Sequence, residues 1–121
     1  MLLLAFAALL LPTSWMAAAH EWLGLGELPQ SPVIEYLTRS IAALYGFHGV
    51  LVMIVAGDPM RYRTIVSYLG VMDIVFGLLM LAIDLHAGMP SMWTIGEGPS
   101  LVVMGTLTLI ALSRVQHADL T

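Results

Sequence analysis

His48 and Asp73 are the residues from which chemistry would start. Each lies deep within an otherwise apolar stretch, where an ionisable group is costly and marks function by default. Counting about 1.5 Å per residue from the turn at Gly57 puts His48 roughly 13 Å and Asp73 roughly 20 Å from the same end, about one helical turn apart. Tyr45 falls almost level with Asp73 and shares a helix face with His48 and Gly49. Tyr62, Gly70, Asp73, Gly77 and Asp84 form one stripe at about 100° per residue. The expected geometry has Asp73 accepting a hydrogen bond from Tyr45, His48 or both. Gly70 and Gly77 would lie opposite Gly46 and Gly49 and let the two backbones approach closely. Such a trio supports three kinds of chemistry. The first is a structural lock between two helices, which is the expected role. The second is a proton relay or a polar patch for a quinone. In the third, His48 gives one axial ligand to a haem or chlorophyll-type tetrapyrrole, although no second intramembrane histidine completes a bis-histidine site.

A second constellation gathers polar groups at the other end of the same stretches. His20 and Glu21, Asp84 and His86, and Glu97 together supply imidazoles and carboxylates of the kinds that bind zinc, iron or copper. Helix ends and loops are also where polar residues belong, so a solvated end is expected, with no metal site and no catalytic residue assigned. Arg39 is expected to pair with Glu35 four residues before it, or to staple the outer ends together through Asp84 or Glu97. The string Leu85–Pro99 carries Met89, Met92, Trp93 and Ile95 beside Glu97. It therefore reads as an interfacial connection, and its methionines as adaptable packing.

The elements that must position these groups follow from composition. Of 121 residues, 60% are hydrophobic and 10% charged, and the mean hydropathy is +0.93. A soluble domain is nearer a quarter charged, so an ordinary water-soluble enzyme is excluded. The four basic residues are all arginine, against eight carboxylates, which leaves no basic face for nucleic acid. With no cysteine, disulfides, iron–sulfur clusters and thiolate zinc sites are excluded as well.

Four apolar stretches follow, separated by proline, glycine and polar residues. They predict helices over about 2–19, 32–56, 59–86 and 99–115, each near the ~20 residues needed to cross a bilayer. Ser31-Pro32 and Asp58-Pro59 read as N-cap and first helical position, Gly88 and Pro90 as a stop, and Gly98-Pro99 as a start. The short turn at Gly57-Asp58-Pro59 makes helices two and three antiparallel neighbours and the expected tightest pair. Leu2–Leu11 followed by Ala17-Ala18-Ala19 has the outline of a signal peptide. No positive charge precedes it, however, so a retained helix is expected. Arg61, Arg63 and Arg114 fall on one side of this arrangement, which places both termini in the cytoplasm, with Trp15, Trp22 and Trp93 at the outer interface.

The strings Ala43-Leu44-Tyr45-Gly46-Phe47-His48-Gly49, Arg61-Tyr62-Arg63, Ile83-Asp84 with Gly88-Met89-Pro90, and Glu97-Gly98-Pro99 give the segment from about Tyr36 to Leu112 a specific likeness. It resembles a group of small bacterial four-helix membrane proteins to which no activity is assigned. In helix count and size the architecture also looks like the DoxX-like group, some of whose members are associated with redox enzymes. That second likeness brings no catalytic residues with it. The resemblance implies the bacterial inner membrane.

The expectation is thus an all-α membrane protein, a four-transmembrane-helix antiparallel bundle forming one domain. Its expected role is that of a non-catalytic accessory subunit among lipids and other membrane-protein subunits of a respiratory or photosynthetic complex. The alternative is a stand-alone protein handling protons, quinone or a hydrophobic ligand through Tyr45, His48 and Asp73.

Overall fold

The computed structural model describes residues 2–118, with side chains through residue 115. Every regular element among these residues is helical. A 3-10 turn at Leu2–Leu4 leads into α1 (Ala5–Leu10) and α2 (Thr13–Trp22). α3 (Pro32–Ala56), α4 (Arg63–Ala87), α5 (Ser91–Gly96) and α6 (Gly98–Ala118) follow. Three helical spans of 25 residues are long and apolar enough to cross a membrane: Pro32–Ala56, Arg63–Ala87 and Ser91–Val115, the last made of α5 and α6 together. The membrane character expected from the sequence is therefore present, with three such spans among the described residues.

The first stretch differs from the expectation. The helix expected over 2–19 is divided at Leu11-Pro12, because proline has no N–H for the carbonyl four residues back and disfavours helical geometry in the residue before it. Leu11 is accordingly extended, with ψ 137°. The other boundaries have similarly local causes. Ser31 Oγ accepts from the Ile34 N–H at 3.2 Å and caps α3, with Pro32 as its first residue. Asp58 does not open α4 as expected. Its carboxylate accepts the Arg61 N–H at 3.0 Å and its carbonyl the Tyr62 N–H at 3.2 Å. These bonds hold 57–62 as a turn, so α4 begins at Arg63. Gly88, with φ 69°, takes the left-handed position that ends α4. The carbonyl of Asp84 accepts the N–H groups of both Gly88 and Met89.

Two compact units divide the chain, Met1–Ala56 and Gly57–Thr121. In the first, the N-terminal segment runs antiparallel to α3. Leu2 and Leu3 pack at Gly49, Phe6 lies over Gly46, and Arg39 reaches Leu9. The Phe6 ring also meets Phe47 edge-on, with centroids 5.5 Å apart, a favoured aromatic geometry.

In the second unit α4 lies antiparallel against α5 and α6. A methyl group at Gly77 would stand 2.6 Å from the Gly98 carbonyl oxygen, and one at Gly98 would stand 2.7 Å from the Gly77 oxygen. Gly70 and Gly105 repeat this reciprocal contact one step along. The two backbones thus touch where only glycine fits, the packing that membrane helices use in place of a hydrophobic driving force. The close approaches of Gly46 and Gly49 are made to the N-terminal segment and those of Gly70 and Gly77 to α6. This corrects the expectation that the two glycine pairs face each other. The seam that positions Asp73 is formed by α4 and α6.

Candidate functional site

The glycine seam of the second unit has a seven-residue step. The buried residues of α4 are Gly70, Gly77 and Asp84, which is heptad spacing on one helix face. The opposing positions 105 and 98 also differ by seven. One further step sets Asp84 opposite the start of α5. The buried residue of α5 is Thr94. A carboxylate therefore occupies a seam position that glycine holds one and two heptads earlier. Asp84 is only 3% exposed, and its Oδ2 atom has no hydrogen-bond partner. A buried charge normally has a counter-charge or a full set of donors, so this orphaned oxygen is the most unusual polar atom among the described residues.

The neighbouring polar groups diverge from it. His86 is exposed, because residues two apart on a helix do not share a face. Glu97 is half-buried at the bend between α5 and α6, and its carbonyl accepts from the Ser100 hydroxyl at 2.9 Å. Asp84, His86 and Glu97 thus belong to the same end of one unit without converging on a point. Among the described residues there is no group of three or more histidines or carboxylates that could hold a metal ion.

Arg39 sits in the other unit, and its guanidinium is engaged there. Nε and Nη2 donate to Glu35 Oε1 at 3.0 and 2.9 Å. Nη1 donates to the Leu9 carbonyl. The pairing with Glu35 is the i,i+4 bridge expected from the sequence. The bond to Leu9 is a partner that sequence spacing did not indicate.

Tyr45 and His48 are half-buried on α3 in the first unit, and Asp73 is half-buried on α4 in the second. Asp73 lies on the seam itself, its Cβ 2.9 Å from where a methyl group on Gly105 would stand. Gly105 therefore gives the carboxylate room on α6. The last turn of α2 holds His20, whose Nδ1 donates to the Gly26 carbonyl at 2.9 Å. That places the imidazole in loop packing.

Sequence reasoning found the α4 stripe but missed Gly98 and Gly105 as its partners. The readable signal was the matched seven-residue spacing of glycines in the two helices. Elsewhere, several hydroxyls in the spans are satisfied locally. Thr38, Thr106 and Thr108 each donate to the carbonyl four residues back, at 2.9, 2.7 and 2.9 Å, so they can face lipid without cost. Compared with known proteins, the chain matches no family model, no curated protein and no solved structure.

Proposed function

We propose that this chain is a non-catalytic accessory subunit of a larger membrane complex, respiratory or photosynthetic, in a bacterial inner membrane. One observation carries the reading: the spans bury very little against their own chain. Only 22%, 11% and 17% of the best window of each span is buried. The buried hydrophobic residues among those described are Ala42, Val55 and Leu112. Large apolar side chains such as Leu44, Phe47, Leu78 and Leu107 point outward. In hydrocarbon, helices associate through packing rather than through the hydrophobic effect. Partner helices meshing with these exposed side chains supply the packing that the chain lacks. The arginines at the α3–α4 turn and at Arg114 face the cytoplasm. The proline-broken N-terminal segment, antiparallel to α3, is a fourth crossing that brings both termini to that side.

A second reading rests on the half-buried Tyr45, His48 and Asp73 within otherwise apolar spans. On it, the chain handles protons, a quinone or another hydrophobic ligand on its own, or holds a tetrapyrrole on His48. Gentle detergent extraction from native membranes, then native mass spectrometry with an absorption spectrum of the same band, separates the two. Co-migration with a large redox or light-harvesting assembly supports the accessory role. A lone chain or a small homo-oligomer would sink it and shift attention to the polar trio.

A further inference from the structure

We propose that Asp84 anchors a binding site for a small monovalent cation, sodium by its chemistry, where the α4 seam meets α5. The starting point is the orphaned Oδ2 of a carboxylate that is 3% exposed. Leaving a buried acceptor unpaired is expensive, and an unfilled partner position calls for a specific occupant. Among the described residues of this unit, no arginine lies at this end. Arg63 stands at the opposite end of α4, about 32 Å away at about 1.5 Å per residue, and Arg114 is near the far end of α6.

The surroundings favour a cation in three further ways. α4 ends three residues beyond Asp84, so the negative pole of its backbone dipole is directed here. Thr94 is the other buried polar residue, and it belongs to α5, the helix whose start the seam register sets opposite Asp84. Its hydroxyl donates to the Pro90 carbonyl at 3.3 Å, which leaves the oxygen's lone pairs free to ligate. Pro99 has no N–H to give the carbonyl of Ile95, so the bend between α5 and α6 offers that backbone oxygen as a further ligand. One carboxylate with neutral hydroxyl and carbonyl oxygens is a hard-oxygen set. It balances a single positive charge, whereas a divalent ion would be left with an uncompensated charge. The closeness of the glycine seam favours a small ion. The site lies near the end of a span, within reach of water, and does not depend on the accessory role proposed above.

The test uses the full chain in detergent micelles, melted by tryptophan fluorescence while sodium chloride replaces choline chloride at constant ionic strength. A ligand that binds the folded state raises the melting temperature saturably. The expected result is such a rise with sodium and a smaller one with potassium. Asp84→Asn removes the increment, and Thr94→Val moves its midpoint about tenfold higher in sodium, the scale of losing one supporting group at a metal. Identical sodium and choline curves would overturn the proposal, as would an increment that survives Asp84→Asn. A response to pH alone, with none to sodium, assigns the carboxyl to a proton and also overturns it. If Asp84→Asn does not fold, binding of radioactive sodium to the unaltered chain, competed by unlabelled sodium, decides the matter: no competable binding means no site.

Discussion

Arg39 donates a hydrogen bond from Nη1 to the carbonyl of Leu9, and the two residues explain each other. Leu9 precedes the break at Leu11-Pro12, where the helix can no longer fold a later N–H back onto its last carbonyls. A carbonyl left open in an apolar surrounding needs a donor. Arg39, held in place by Glu35 on its own helix, provides one. An arginine inside a span would otherwise be a burden. Here its charge is matched by Glu35, and its spare N–H groups close a helix end.

Removing the guanidinium should therefore loosen the N-terminal segment more than removing its carboxylate partner does. Arg39→Ala is expected to cost about 1.5–3 kcal/mol, the scale of a hydrogen bond to a charged group. Glu35→Ala removes a half-exposed bridge worth no more than about 1 kcal/mol. Hydrogen exchange in micelles would read this as faster exchange of amides in α1 and α2 for Arg39→Ala. Equal rates in the two variants would show that the Leu9 bond contributes nothing.

The α4–α6 seam makes a sharper prediction, because its contacts are backbone to backbone. Gly77→Ala and Gly105→Ala place a methyl group against a carbonyl oxygen on the opposite helix. Neither helix can give way as a flexible side chain would. Overpacking of this sort costs about 1–3 kcal/mol. Gly96→Ala has nothing within 4 Å of the added methyl and should be neutral. Unfolding midpoints of the three variants in mixed micelles would check the ranking, and a neutral Gly77→Ala would refute the seam.

Much of this arrangement was legible in the sequence, and the rest was hidden for identifiable physical reasons. Apolar length and proline punctuation located α3 and α4 to within a few residues. The stripe of Gly70, Gly77 and Asp84 was visible as a face of one helix. What that face packs against was not visible, because an apolar helix carries no polar face to orient it. The glycines of α3 were equally good partners on paper. The first helix misled because Pro12 sits inside a continuous apolar run, where hydropathy outweighs a single missing donor in a count but not in a backbone. The helical turn of α5 was masked by the glycines and prolines around it. The orphaned Asp84 oxygen required coordinates, since the sequence shows a carboxylate near a helix end, where solvent is the default partner.

Gly46 offers a test of how the N-terminal segment is held. A methyl group there would meet the Phe6 ring at 2.5 Å, and the ring is a side chain that can be removed. Gly46→Ala should destabilise the first unit, as should Phe6→Ala, which loses the edge-on contact with Phe47. The double variant should be less damaged than the sum, because the clash disappears with the ring. A coupling of about 0.5–3 kcal/mol is the range for residues in contact. Additive losses in a double-mutant cycle would place Phe6 elsewhere.

Asp73 separates a structural carboxylate from a working one. Its Cβ lies against Gly105 within the seam, so the side chain has a packing role whatever else it does. Asp73→Asn keeps the shape and removes the charge. In the accessory role, the variant should still assemble into the native complex and support its electron transfer at close to the unaltered rate, with at most a lower melting temperature. In a proton-handling role, turnover should fall by the 10²–10⁴-fold typical of a lost acid–base group, while assembly and melting stay unchanged. His48→Leu completes the comparison on the other unit. Loss of a visible absorption band on that change alone would assign a tetrapyrrole to His48, and an unchanged spectrum would remove it.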